Sequence, residues 1–165
     1  MFTKFFEYGP ESLGKSLFDG VAAKANAFLG KPRPVWVDLG KMLYMQPWKD
    51  RGTVLVTSSS YPDGDTRETY VSAPYNDVKA AIAKQGLSGR FEELSGVWPQ
   101  DVKGQRIYVN LADAQELQTY NGTGTQVRYA NSFVCVAEDQ DYLEERKPEL
   151  FGRSPSRIPR NQPTL

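Results

Sequence analysis

Ser12 and Lys15 stand three residues apart, the spacing at which one helical turn sets a lysine amine beside a serine nucleophile for acyl transfer. No other motif of such a site accompanies them, and the pair reads as the solvated start of a helix. The carboxylates Glu92-Glu93, Glu138-Asp139-Asp141 and Glu144-Glu145 could supply a general acid and base. That work requires one carboxyl to be desolvated beside a partner, whereas adjacent acids on helices are mostly solvated. Asp63, Asp65 and Glu68 offer oxygens to a hard cation but fall short of the roughly six that a calcium loop needs, so Asp63-Gly64 reads as a hairpin turn. The stretch Asn121-Gly122-Thr123-Gly124-Thr125 neither opens a helix nor carries the lysine of a phosphate loop, and reads as a β-turn. Cys135 alternates with its neighbours as a strand residue does and is expected to be a buried, inert thiol. Histidine is absent, which removes the commonest general base, the commonest zinc ligand and every Ser-His or Cys-His pair. No catalytic, metal-ligating or cofactor-binding residue follows from these groups, and the expectation is that the protein is not an enzyme.

What remains is surface chemistry. Phe2, Phe5, Phe6 and Tyr8 load the N-terminus with aromatic area that would be expected to dock on something. Phe151, Arg153, Arg157 and Arg160 lie in a proline-rich C-terminal stretch suited to an extended strap. Phe2, Phe5, Phe6, Phe151, Arg153, Arg157 and Arg160 are therefore the candidate partner-binding residues. Lys49, Arg51 and Arg106 are the candidate nucleic-acid contacts, against a composition of 20 basic and 20 acidic residues that favours no polyanion globally.

The elements that must position these residues are mostly β. Val35–Leu39 aligns without a gap on Ile107–Leu111, and at the same offset Gln46, Trp48, Gly52 and Thr53 fall on Gln118, Tyr120, Gly124 and Thr125. Residues 35–57 and 107–129 thus read as two copies of one β unit. Strands are predicted over 35–39, 41–48, 52–58, 67–72, 105–111, 114–120, 125–129 and 133–137, with helices over 75–85 and 139–146. Upstream, Leu13, Leu17, Val21, Ala25 and Phe28 recur at helical spacing between Pro10 and Gly30, which predicts an amphipathic helix over Glu11–Leu29. Lys31-Pro32-Arg33-Pro34 reads as a stiff connector and 87–105 as an irregular bridge. The expected fold class is α+β: an N-terminal amphipathic helix, a β-rich core of two similar units each followed by a short helix, and an extended C-terminal arm. The parts run 1–34, 35–146 (35–86 and 105–146, bridge 87–104) and 147–165.

Lys41-Met42-Leu43-Tyr44-Met45, Tyr70-Val71-Ser72 with the helix to Ile82, and Arg106–Leu111 together resemble the LytTR family of bacterial DNA-binding output domains over residues 35–146. Gly52–Val56 with Thr69-Tyr70-Val71 is similar to the small flagellar proteins of the FlbD type. The LytTR resemblance implies a paired β fold and a Ser-Arg contact to DNA after the last strand. Here Ala137-Glu138-Asp139 takes that place, and carboxylates repel a phosphate backbone.

A 165-residue chain is long enough to bury about two thirds of its unfolded surface as one domain. It has no run of ~18 apolar residues and no signal-peptide pattern at its N-terminus, so a cytoplasmic protein, or a virion protein if phage-encoded, is expected without a membrane partner. The leading expectation is a non-enzymatic structural or assembly subunit that binds copies of itself or other proteins through terminal arms, as in a phage head or tail. A LytTR-like DNA-binding regulator and a small inhibitor of a host enzyme are the alternatives.

Overall fold

The computed structural model describes residues 1–7, 33–48, 52–58 and 66–151. These form strands β1 (Phe2–Glu7), β2 (Arg33–Asp38), β3 (Met42–Trp48), β4 (Gly52–Ser58) and β5 (Thr66–Val71), helix α1 (Tyr75–Lys84), strands β6 (Phe91–Trp98), β7 (Arg106–Asn110), β8 (Glu116–Tyr120), β9 (Gly124–Arg128) and β10 (Phe133–Val136), and helix α2 (Gln140–Arg146). All ten strands join one sheet in the order β2-β1-β5-β4-β3-β7-β6-β10-β9-β8, and every neighbouring pair is antiparallel.

That order contains the duplication. The first five strands lie 2-1-5-4-3, the last five lie 7-6-10-9-8, and a helix follows the fifth strand of each set. The matching extends to single bonds. Ser72 N donates to Phe6 O at 2.8 Å where Ala137 N donates to Ser95 O at 2.9 Å. Thr53 Oγ1 donates to Ala73 O as Thr125 Oγ1 donates to Glu138 O, both at 2.8 Å. Gly52 and Gly124 are required by close approach: a Cβ would stand 2.0 Å from Val71 O in one and 2.4 Å from Val136 O in the other. The unit therefore runs from β1 to α1 in the first copy and from β6 to α2 in the second, and takes in β1 and β6 as its first strands.

Alternation along the strands gives each unit one core, and the two cores lie on opposite faces. Tyr44 pairs with Val109 and Val56, whereas Met45 pairs with Tyr108 and Leu55. Val78 and Ile82 of α1 pack with Met45, Leu55, Val71 and Phe5. Leu143 of α2 packs with Tyr44, Val56, Ile107, Val109 and Val136. Because five antiparallel steps also reverse strand direction, the second unit follows from the first by a half-turn about the sheet's long axis and a shift along it.

The fold class is thereby corrected from α+β to a predominantly antiparallel β-sheet with two short helices among the described residues. The first described helix begins at Tyr75, and the N-terminal aromatic run is strand β1 rather than a free arm. The helix expected over Glu11–Leu29 lies outside the described residues, as does the arm from residue 152 onward. Arg33 and Pro34 belong to β2, an edge strand where proline's missing N–H is tolerated. The bridge over 87–105 is also corrected, since Phe91–Trp98 is β6. Two consecutive glutamates weaken a strand pattern. Here Glu92 is held by Arg146 at 3.0 Å and Lys147 at 3.8 Å, and Glu93 by Lys79 at 3.5 Å, partners that only the tertiary fold supplies. Among the described residues no helix is long and apolar enough to cross a membrane.

Gly52→Ala and Gly124→Ala should each destabilise the protein by roughly 2 kcal/mol or more, as overpacking against backbone does. Gly89→Ala meets nothing within 4 Å and should stay within about 0.5 kcal/mol of the wild type; urea unfolding of the three variants measures this.

Candidate interaction surface

β2 closes one end of the sheet and β8 the other, and neither has a second partner strand among the described residues. On β1, alternation sends Phe5 into the core at 7% exposure and turns Phe2, Lys4 and Phe6 to the opposite face. Cross-strand register brings Trp36 opposite Lys4 and Pro34 opposite Phe6 on that same face. Phe2, Phe6 and Trp36 are 64%, 47% and 63% exposed. Three large aromatics on one face of an edge hairpin form an apolar patch of the kind that marks an interaction site. Lys4 Nζ stands 5.5 Å from the Phe6 ring centre and gives the patch a cationic edge.

The equivalent positions of the second unit show what such a patch looks like when covered. Phe91 and Tyr108, the counterparts of Phe2 and Trp36, are 2% and 8% exposed. Their rings stack with centres 4.9 Å apart at 14°. Helix α1 of the first unit covers them: Lys79 Nζ lies 5.0 Å above Tyr108, and Lys79 and the Tyr75 hydroxyl both reach Glu93, at 3.5 and 3.3 Å. Burial first, and the carboxylate of Glu93 next, push the Tyr75 phenol far above its ordinary range.

The sequence candidates separate on this frame. Phe2 and Phe6 join the exposed patch, whereas Phe5 is a core residue and is corrected from a partner contact, because period two sends it to the inner face. Phe151 ends a 3-10 turn, Pro148–Phe151, and Arg153, Arg157 and Arg160 lie outside the described residues, as do Lys49 and Arg51. Arg106 donates to Ser95 Oγ at 2.8 Å and to Glu93 O at 3.1 Å, and pairs with Glu138 at 3.3 Å. Its side chain stays about half exposed while its charge is matched by Glu138. Glu138 also accepts from Ser95 N, and Asp139 caps α2 by accepting from Tyr142 N at 2.8 Å. The carboxylates considered for acid–base work are thus largely engaged as caps and ion pairs. Cys135 is fully buried in β10, and burial pushes its thiol up.

Two groupings escaped the sequence. One is the pairing of Trp36 with Phe2 and Phe6, whose only linear signal is the alternation Phe2-Lys4-Phe6 against Phe5. The other joins Gln46 to Asp101 at 2.9 Å, and Tyr70 to Glu68 at 3.0 Å, on the face where Tyr44 is buried and the edge of Trp48 meets the Tyr70 ring at 5.4 Å. Asp101 is 55 residues from Gln46, and no local pattern connects them. Burial is the main cause that raises the Tyr44 phenol, and the Tyr70 phenol is pushed up to about 12 by burial and its bond to Glu68. Among the described residues no group of three or more acidic or cysteine side chains is placed to hold a metal ion.

Phe5→Ala should cost about 3–4 kcal/mol and Phe6→Ala less than about 1 kcal/mol, read as urea midpoints at constant slope. The buried phenols fix a pH dependence as well. A phenol whose pKa is raised on folding keeps its full contribution below about pH 10 and loses it as the pH rises through the folded value. The urea midpoint should therefore fall progressively above about pH 10, with the Tyr70 contribution lost near pH 12. Comparison with family models, with curated proteins and with solved structures gives no match for this chain.

Proposed function

We propose that this protein is a non-enzymatic assembly subunit that binds copies of itself or other proteins, a role suited to a repeating structure such as a virion head or tail. The observation that carries the reading is the aromatic patch of Phe2, Phe6 and Trp36 on an open sheet end, where the counterparts of Phe2 and Trp36 in the chain's own second unit, Phe91 and Tyr108, are buried. A solvated aromatic patch beside an unpaired strand edge invites association, and natural proteins usually blunt such edges unless they are used. The chemistry of the chain supports the same side: histidine is absent, the one thiol is buried, and Arg106 and Glu138 neutralise each other. Strand β1 carries Phe2 and Phe6 of the expected N-terminal contact, and its neighbour β2 adds Trp36.

Light scattering coupled to size exclusion tests this on the full chain, whose monomer is 18.5 kDa. Wild type should exceed the monomer mass as concentration rises. Trp36→Asp should keep the native circular dichroism and require at least about tenfold more protein for the same mass, a change of about 1.4 kcal/mol. A wild-type mass fixed at the monomer up to millimolar protein, with no partner recovered from its native source, would overturn the reading.

A further inference from the structure

The duplication assigns a partner to each open end. Inside the chain, the outer strand of the first unit, β3, pairs with the outer strand of the second, β7, with Tyr44 opposite Val109 and Met45 opposite Tyr108. In the repeat, Tyr44 and Met45 correspond to Glu116 and Leu117 of β8, and Val109 and Tyr108 to Val37 and Trp36 of β2. Helix α1, which covers Tyr108 and Phe91, corresponds to α2. One end of the molecule therefore carries β8 and α2, the counterparts of the elements that cover the internal aromatics. The other end carries Trp36 and Phe2, the counterparts of the aromatics they cover.

We infer that the sheet continues from molecule to molecule: β8 and α2 of one copy dock on β2 and β1 of the next, with Glu116 opposite Val37 and Leu117 opposite Trp36. The inference deepens the assembly reading above and rests on it. Its contacts are already tried within the chain, where the same geometry buries Phe91 and Tyr108 to 2% and 8%. Leu117 already packs at the margin of the α2 core, as Met45 lies in the α1 core, so it presents apolar surface for Trp36 to cover. The signs of charge also exchange. Lys79 and Glu93 of the internal seam become Glu144 and Lys4 at the ends, and α2 carries Asp141 and Glu145 besides. Glu144 is buried in its own chain, so the exchange bears on the sign of the surroundings rather than on one ion pair. Pro34 does not block the union, because its counterpart Arg106 lies outside the two pairs of the internal seam. The two surfaces differ, so the contact is head-to-tail and yields a closed ring or an open filament, not a two-fold dimer.

Disulfide mapping in a Cys135→Ala background decides it. In antiparallel register the partner numbers sum to a constant, so Trp36→Cys should link to Leu117→Cys, and Val35→Cys to Gln118→Cys, only when the two single variants are mixed. Val35→Cys with Leu117→Cys, one residue out of register, should link at least about tenfold more slowly, since its Cβ atoms point to opposite faces. The Val35 and Gln118 pair keeps Trp36 in place should its loss weaken docking. Covalent dimers from a single variant alone, or equal linking in both registers, would overturn the pairing. An oligomer that forms without either link leaves the assembly reading standing and removes this one, whereas a monomer under all conditions removes the self-assembly in both.

Discussion

The junction of β3 with β7 is the contact on which the rest of the structure depends. Only two residue pairs register across it, and side chains reinforce it. Asn110 Nδ2 donates to Met42 O at 2.8 Å while holding Asp113 Oδ2 at 2.7 Å. Tyr129 Oη sits 2.8 Å from Asn110 O and 3.0 Å from Leu43 O, so one buried proton is shared between carbonyls of the two strands. A buried carbonyl left without its donor costs about 1–3 kcal/mol, and these polar groups therefore specify the junction as well as stabilise it. Without it the first unit would expose Met45 and Tyr44, and the second would expose Tyr108 and Phe91. Neither five-stranded unit hides the outer-face aromatics of its first two strands, Phe2 and Trp36 in one and Phe91 and Tyr108 in the other.

A unit that needs a neighbour on one side has a matching need on the other. The junction satisfies the outer edge of β3 and the inner aromatics of β6 and β7, and leaves the mirror requirements, β8 and the β1–β2 patch, at the two ends. This is the logic of solenoids, in which each repeat is completed by the next and terminal repeats are either capped or joined. Pro34 on the edge strand β2 provides a limited defence against indiscriminate edge pairing, while the aromatic patch beside it stays open.

Much of this was legible in the sequence. The offset that set Val35–Leu39 on Ile107–Leu111 is the structural equivalence, and Gly52-Thr53 against Gly124-Thr125 marked the closest backbone approaches. The helices after each unit were visible over 75–85 and 139–146, where the structure has Tyr75–Lys84 and Gln140–Arg146. The first strand of each unit was not. β1 lacks a β-branched core, and its aromatics read as a frayed terminus. β6 carries Glu92 and Glu93, whose compensation by Arg146, Lys147 and Lys79 comes from residues up to 55 positions away. With β1 and β6 missed, the fold class tilted toward helix, and the exposed aromatics of the terminus could not be sorted into Phe5 inside and Phe2 and Phe6 outside. The partnership of Trp36 with Phe2 needed the register of β1 on β2, which alternation alone does not give.

Hydrogen exchange of the full chain at two protein concentrations tests the continuing sheet most directly, because amides at an unpaired edge exchange freely and those in a formed ladder do not. Protection at β3 and β7 should be high at both concentrations. At the higher one, exchange should slow at β2 and at β8 together. Exchange at β2 and β8 that stays fast at every concentration, or protection that grows at one end alone, would contradict it.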